Sequence, residues 1–305
     1  VHVVDWSDES RKFYRSNKIA RIIKDELWYK PGFTFSRMAS TVNVRCLDTR
    51  GTFDATTVSF YTKDSNSDLF NTLLAFFNSK IVDYFISILN PTLVFQLIDI
   101  QKIPFFGYNA KIDESLVEKA ISLSKNDWDS TEQSFDFKEF SLLSPSIKRK
   151  ILKESMNEFE QNAKKSFYEL KKIEEVLNEQ FIKIYELNKE INSQVPLEQI
   201  SILQEEVKIV NGEFSIEPVS VLLQLLSYSV GCIMGRYSLD KPCLALANQG
   251  ENWQDFLQQV SNPTFMPDED NIIPILDGEW FNDDIVGRFK VFLKAAFGEE
   301  YLEEN

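Results

Sequence analysis

The pattern of apolar and polar positions changes period several times along the chain. Residues 1–28 are mixed and charged. Arg11, Lys12, Arg15, Lys18, Arg21 and Lys24 recur every one to four residues without a clean apolar face, which fits a basic helix or a surface strap. Residues 29–63 are rich in Thr, Val, Phe and Ser. Polar and apolar positions roughly alternate there, as in Val42-Asn43-Val44-Arg45, and Gly32 and Gly51 supply turn residues. A period of two among β-branched and aromatic residues predicts strands and hairpins.

Helical spacing follows. Leu69, Leu73, Phe76/Phe77, Ile81, Tyr84/Phe85 and Ile88 fall on one face of a helix, with Ser67 or Asp68 as its N-cap and Asn90-Pro91 as its end. Leu93 to Phe105 reads as strand and loop. A short helix is predicted over 113–126, capped by Asp113, and an acidic loop over 127–144. From Ser146 to about Asn192 runs a long charged helix. Its seam of Phe167, Leu170, Ile173, Leu177, Phe181, Ile184, Leu187 and Ile191 suits an arm of a helical bundle, with a coiled-coil dimer as the alternative. A short strand from Ser201 to Val210 ends at a turn marked by Gly212. A buried helix is predicted over 217–235 and a last helix over about 283–297.

Charge sharpens this division. The whole chain of 305 residues has 33 basic and 47 acidic residues, net −14, a balance that by itself disfavours a polyanionic partner. Residues 1–110 carry 13 basic and 11 acidic residues, whereas residues 111–305 carry 20 and 36. The acid belongs to the helical remainder. The expected architecture is therefore α+β: a mixed α/β domain over 1–110 with an N-terminal connector, then a mostly helical domain over 111–305 with a long helix.

Little catalytic chemistry is visible. Cys46, Cys232 and Cys243 are widely spaced, and His2 is the single histidine, so neither a Cys/His zinc set nor an internal Ser-His-Asp triad is available. No glycine loop of the dinucleotide or phosphate-binding kind occurs. Gly231 and Gly235 read as close packing inside a helix, and Asp268-Glu269-Asp270-Asn271 as a solvated acidic loop without calcium-loop spacing. The run from Val219 to Met234 is short of a membrane span. With no secretory signal and no disulfide pattern, a reduced cytoplasmic setting and no membrane partner are expected. The first residue is Val1, which suggests a processed product or a piece of a longer protein. The most suggestive patch is the basic, Ser/Thr/Asn-rich segment 30–50. Arg bonds bidentately to guanine, Asn and Gln to adenine, and Lys, Ser and Thr suit phosphates.

Several runs resemble a known family. Phe76-Phe77-Asn78-Ser79-Lys80, then Leu89-Asn90-Pro91-Thr92-Leu93-x-Phe95-Gln96 and Ile100-x-x-Ile103-Pro104, are similar to the close of a target-recognition domain of DNA methyltransferases and restriction-modification specificity proteins. Trp28-Tyr29-Lys30-Pro31-Gly32-x-Thr34-Phe35-Ser36 and Gly51-x-Phe53-Asp54 resemble its opening. Leu226-Ser227-Tyr228-x-Val230-Gly231-Cys232-x-Met234-Gly235-Arg236-Tyr237-Ser238-Leu239-Asp240 and Pro267–Leu276 are similar to the C-terminal region of the PglX adenine-specific DNA methyltransferases of BREX phage-defence systems.

That resemblance implies a DNA sequence-recognition module of an N6-adenine methyltransferase, its catalytic domain lying outside this chain. S-adenosylmethionine is then the cofactor of the parent enzyme, not of these residues. Double-stranded DNA, the N-terminal methyltransferase domain and other BREX proteins or a phage inhibitor are the implied partners. The family's Asn-Pro-Pro-aromatic motif is not matched. Asn90-Pro91-Thr92-Leu93 lacks the second proline and the aromatic, and reads as a helix-terminating turn. By chemistry and position the candidate DNA contacts are Lys30, Ser36, Arg37, Asn43, Arg45, Arg50, Lys80 and Gln96. The alternative is a protein-interaction scaffold that docks defence-complex or phage proteins through the acidic helical half.

Overall fold

The computed structural model describes residues 4–20, 22, 24–47, 49–51, 57–62, 67–107, 112–278, 280–281 and 283–305, with only the backbone of Ser67 and Asp68. His2, Arg21, Phe53, Asp54 and the Ser67/Asp68 capping side chains lie outside the described residues. The chain forms two compact units, Val1–Ile121 with Lys171–Val195, and Ser122–Leu170 with Pro196–Asn305. Small antiparallel sheets stand among predominant helices, an α+β fold.

In the first unit, the mixed N-terminal segment forms helix α1 (Asp8–Ser16), capped by Ser7 accepting from the Ser10 N–H. The alternating segment becomes three strands, β1 (Phe33–Ser36), β2 (Val44–Cys46) and β3 (Thr57–Phe60), in the order β2-β1-β3 and antiparallel throughout. Phe33 faces Cys46 on one side and Phe60 on the other, and Phe35 faces Val44 and Val58, so one sheet face is apolar. The other face carries Thr34, Arg45 and Ser59 in one row. This is the two-residue period read in the sequence.

The apolar face packs on phenylalanines. Phe33 stacks at 4.3 Å on Phe70 of helix α2 (Ser67–Phe77) and at 5.0 Å on Phe60. Phe76 lies 5.7 Å from Phe181 and 5.0 Å from Phe105. Gly32 is required where β1 begins, because a Cβ there would lie 2.7 Å from the Tyr61 ring and 2.8 Å from the Phe60 carbonyl.

The helix predicted from Leu69 to Ile88 is broken. It forms α2 and α3 (Lys80–Leu89), bent by 59°. The cause lies at the junction. The Asn78 amide donates to the Leu74 carbonyl at 2.9 Å and the Ser79 hydroxyl to the Phe76 carbonyl at 2.6 Å, competing with a continuing backbone ladder. Among the described residues no single helix is long and apolar enough to cross a membrane, and α2 with α3 reach that length and composition only as a bent pair. Part of the segment read as strand and loop is also helical: α4 (Leu97–Gln101) opens where the Asp99 carboxylate accepts the Gln96 N–H at 2.9 Å. Only Val94 keeps a strand-like bridge, to Met38.

Helix α5 (Glu114–Asp129) starts at Asp113, whose carboxylate accepts from the Ser115 N–H. The long helix α6 (Leu152–Ile184) is shorter than predicted at both ends. Glu186 takes φ +57° just beyond it, a left-handed conformation that ends a helix. The α6 seam is buried within the chain, from Phe159 and Ala163 through Phe167 and Leu170 to Ile173, Leu177 and Phe181. That is the bundle-arm reading.

In the second unit, β4 (Val207–Val210) and β5 (Glu213–Ile216) pair across Asn211-Gly212, both at positive φ, as a two-residue hairpin turn demands. Helix α7 (Pro218–Ile233) departs from the expected buried helix. One face, Val221, Leu225, Tyr228, Cys232 and Ile233, is core, whereas Val219 and Leu223 are each 60% exposed, with Leu222, Leu226 and Val230 beside them on the open face. Tyr237 stacks on Tyr228 at 5.1 Å and crowds Gly231, where a Cβ would lie 2.5 Å from its ring. Gly235 lies past the helix end at φ +72°, a correction to its expected place inside it. After α8 (Trp253–Gln259), helix α9 (Ile285–Phe297) is capped by buried Asp284. Its carboxylate accepts N–H bonds from Trp280, Phe281 and Gly287, which hold it below the ordinary aspartate range.

Candidate nucleic-acid interface

Strand register sorts most of the predicted contacts to opposite ends of the three-stranded sheet. Phe33 pairs with Cys46, and the Leu47 N–H donates to the Gly32 carbonyl at 2.9 Å. Lys30, just before that carbonyl, and Arg50, on the turn beyond Leu47, therefore belong to one end. At the other end Phe35 pairs with Val44, so Ser36 and Arg37 leave β1 where Asn43 enters β2. The Phe95 N–H donates to the Arg37 carbonyl at 2.8 Å and the Ala39 N–H to the Leu93 carbonyl at 3.1 Å. This brings Gln96 to the same end. Ser36, Arg37, Asn43 and Gln96 are all exposed there. Among the described residues, the side chains of Lys30, Ser36, Arg37 and Asn43 make no hydrogen bond or ion pair with the protein.

Arg45 is differently placed. It stands on β2, an edge strand whose outer backbone is clamped by one side chain. The Val44 N–H donates to Asn78 Oδ1 at 3.1 Å, and Asn78 Nδ2 donates to the Val44 carbonyl at 2.9 Å. Satisfying an open sheet edge with side-chain groups blocks further strand pairing. Arg45 Nη1 reaches the same Asn78 Oδ1 at 3.3 Å. Burial lowers the pKa of its guanidinium, and the charge of Glu174 on α6 raises it again. Glu174 itself is pushed up to about 7 by burial, against the pull of Arg45. Arg45 retains accessible surface, so it keeps its charge while its head group serves the edge clamp.

Lys80 is not brought to the sheet ends. Its backbone N–H donates to Asn178 Oδ1 at 2.9 Å and its ammonium to the Gln194 carbonyl, which fixes the start of α3 against α6 and the segment after it. Asn90 is used up internally. Its Oδ1 accepts from the Thr92 N–H and hydroxyl, and its Nδ2 donates to the Val94 carbonyl and to Asp99 at 2.8 Å. The Asn-Pro turn is structural. Three contributors escaped the sequence reading. Asn78 is the edge clamp, and Thr34 and Ser59 carry buried hydroxyls with no hydrogen-bond partner among the described residues. The alternation of 29–63 contained the signal for Thr34 and Ser59, whereas Asn78 required the tertiary fold.

Among the described residues the strands pair antiparallel, and none leads through a glycine loop into a helix N-terminus.

No protein-family profile matches the chain. Two curated proteins do. The adenine-specific methyltransferase BrxX of Escherichia coli O9:H4 (strain HS) is 31% identical over 313 residues, and the adenine-specific methyltransferase PglX of Lacticaseibacillus casei (strain Zhang) is 31% identical over 316. Each alignment covers 100% of this chain and 25% of the relative, so the chain spans about a quarter of the length of the proteins it matches. The likeness read from the motifs thus extends along the whole chain, which is similar throughout to a part of the PglX-type adenine-specific methyltransferases.

Proposed function

We propose that this chain is a DNA sequence-recognition module of a BREX-type N6-adenine methyltransferase, acting in the cytoplasm and supplying specificity to a catalytic domain outside it. The observation that carries the reading is the gathering of Ser36, Arg37 and Asn43 at one open sheet end, in a chain similar over its full length to adenine-specific methyltransferases. Arg and Asn are the side chains that read guanine and adenine edges, and their amide and guanidinium groups are uncommitted here. In this reading the recognition domain is built around residues 1–110, and residues 111–305 are its helical companion. The module grips duplex DNA. Extrusion of the target adenine and methyl transfer from S-adenosylmethionine fall to the other domain.

The test is fluorescence anisotropy of labelled duplexes at moderate salt. The full chain should bind duplex DNA, and Arg37→Ala with Asn43→Ala should lose preference among sequences. Equal affinity of wild type and double variant for every duplex would overturn the assignment. A second reading, protein docking by the acidic half, draws on the open apolar face of α7, where Val219, Leu222, Leu223, Leu226 and Val230 form a stripe without a charged residue.

A further inference from the structure

The second unit holds 14 basic and 28 acidic residues, yet its stretch from Ser141 to Lys153 contains Lys148, Arg149, Lys150 and Lys153 and no acid. Four like charges within six residues repel one another, and an anion seated among them relieves that repulsion. The cluster stands where the long helix α6 begins.

The loop that carries these cations is fixed. The Lys148 N–H donates to the Ser144 carbonyl at 2.8 Å. The Arg149 N–H donates to Oγ of buried Ser155 at 2.8 Å. The Arg149 guanidinium donates to the Ser146 and Lys148 carbonyls and pairs with Glu158 at 2.9 Å, so its role is to hold the loop. At the start of α6 the Leu152 N–H donates to Asn305 Oδ1 at 2.6 Å. That neutral amide leaves the positive end of the helix without a capping carboxylate.

An open groove of about 500 Å³ lies against this loop. Lys148, Arg149, Lys150 and Glu154 wall it, with Ala296 and Phe297 of α9. Lys148 and Lys153 are exposed, and among the described residues their ammonium groups make no hydrogen bond or ion pair. Lys150 meets a neutral partner. Its ammonium donates to the Tyr301 hydroxyl at 3.1 Å and lies 5.3 Å from the centre of that ring. The hydrogen bond raises its pKa and the charge of Glu300 adds to the rise, so Lys150 stays cationic. Of the other acids in these segments, Glu158 is paired with Arg149 and Glu299 with Lys294. Glu154 on the groove wall is the one that opposes an anion.

We infer that this groove is a second nucleic-acid contact, in which Lys148, Lys150 and Lys153 hold phosphate groups of a DNA backbone. Ammonium groups are point charges that suit phosphate and carry no base readout. The groove is open, as a polymer passing through it requires. At physiological salt, charges more than about 8 Å away are largely screened, so the local cations outweigh the acid elsewhere in the unit. The inference rests on the DNA-recognition reading for the identity of the anion. It concerns a different site, none of whose residues belongs to the three-stranded sheet or to α7.

The experiment measures binding of the full chain to two duplexes of unrelated sequence by fluorescence anisotropy across a salt series. Circular dichroism first establishes that each variant is folded. Lys148→Ala with Lys153→Ala should weaken both duplexes by the same factor and reduce the slope of log affinity against log salt by about 1.8, two phosphate contacts' worth. Glu154→Gln should strengthen both. Lys164→Ala with Lys165→Ala removes the same charge from α6 about 16 Å further on, at roughly 1.5 Å per residue, and should leave the slope unchanged. If the Lys148/Lys153 pair leaves the slope unmoved, or the Lys164/Lys165 pair lowers it equally, the groove is not a backbone contact, while DNA recognition by the sheet stands. Inorganic triphosphate that binds the wild type by calorimetry, with the duplex slope unmoved by the Lys148/Lys153 pair, would assign the groove to a free anion and overturn the inference. If the wild-type chain binds no duplex, the recognition reading falls and this site falls with it.

Discussion

The two units differ in where their charge goes and in what their surfaces leave open. The first, Val1–Ile121 with Lys171–Val195, holds 19 basic and 19 acidic residues. The second holds 14 and 28 and therefore carries the whole net charge of −14. The open end of the first unit's sheet is polar and cationic. The open face of α7 in the second is apolar and uncharged, in a unit whose net charge is strongly acidic. A global charge would have assigned both units to one class of partner. Divided by unit, it separates a surface that tolerates phosphate from one that repels it and that suits protein instead.

The cores offer the largest effects by which to probe this contrast. Phe76→Ala removes a buried ring in contact with Phe105 and Phe181 and should cost about 3–5 kcal/mol. Tyr228→Phe in the second unit deletes only a hydroxyl bonded at 3.3 Å to the Ser238 carbonyl, and should cost about 1 kcal/mol. Urea midpoints measure both. Equal losses would contradict the aromatic core described for the first unit.

Next comes the edge clamp. Asn78→Ala leaves the Val44 N–H without its partner and the Val44 carbonyl with only Arg45 Nη1 as donor, and should cost about 1–3 kcal/mol. Hydrogen exchange at Val44 should accelerate with it. Unchanged protection there would show that Asn78 does not close the edge.

A pH dependence completes the set. Glu174 rises from 4.5 to about 7 because burial disfavours its charge, and Arg45 only partly offsets this. Below about 4.5 the carboxyl is protonated in both states and contributes no difference. Between 4.5 and about 7 the folded state holds the proton more tightly than the unfolded one, so stability falls as pH rises, and the penalty is complete above about 7. Glu174→Gln should flatten the change in urea midpoint between pH 5 and pH 8. An undiminished slope would mean that Glu174 titrates normally.

Much of this organisation is legible in the sequence because it is local. Alternation in residues 29–63 marks the three-stranded sheet, Asn211-Gly212 the separate turn between β4 and β5, and Asn90-Pro91 the end of α3, each set by residue type and backbone geometry. What escaped is tertiary. Asn78, at the break between α2 and α3, is also bonded to Val44, 34 residues away. The open face of α7 reads as core because an apolar side chain looks the same whether covered or not. The candidate contacts behave alike. Ser36, Arg37 and Asn43 follow from strand register, but no local signal distinguishes them from Arg45 and Lys80, whose partners Asn78 and Gln194 come from elsewhere in the fold.

Selection from a randomised duplex pool by the full chain tests the central claim most directly. The account predicts enrichment of a defined sequence, lost in the chain carrying Arg37→Ala and Asn43→Ala. A pool that emerges from wild-type selection with no enriched sequence would contradict it.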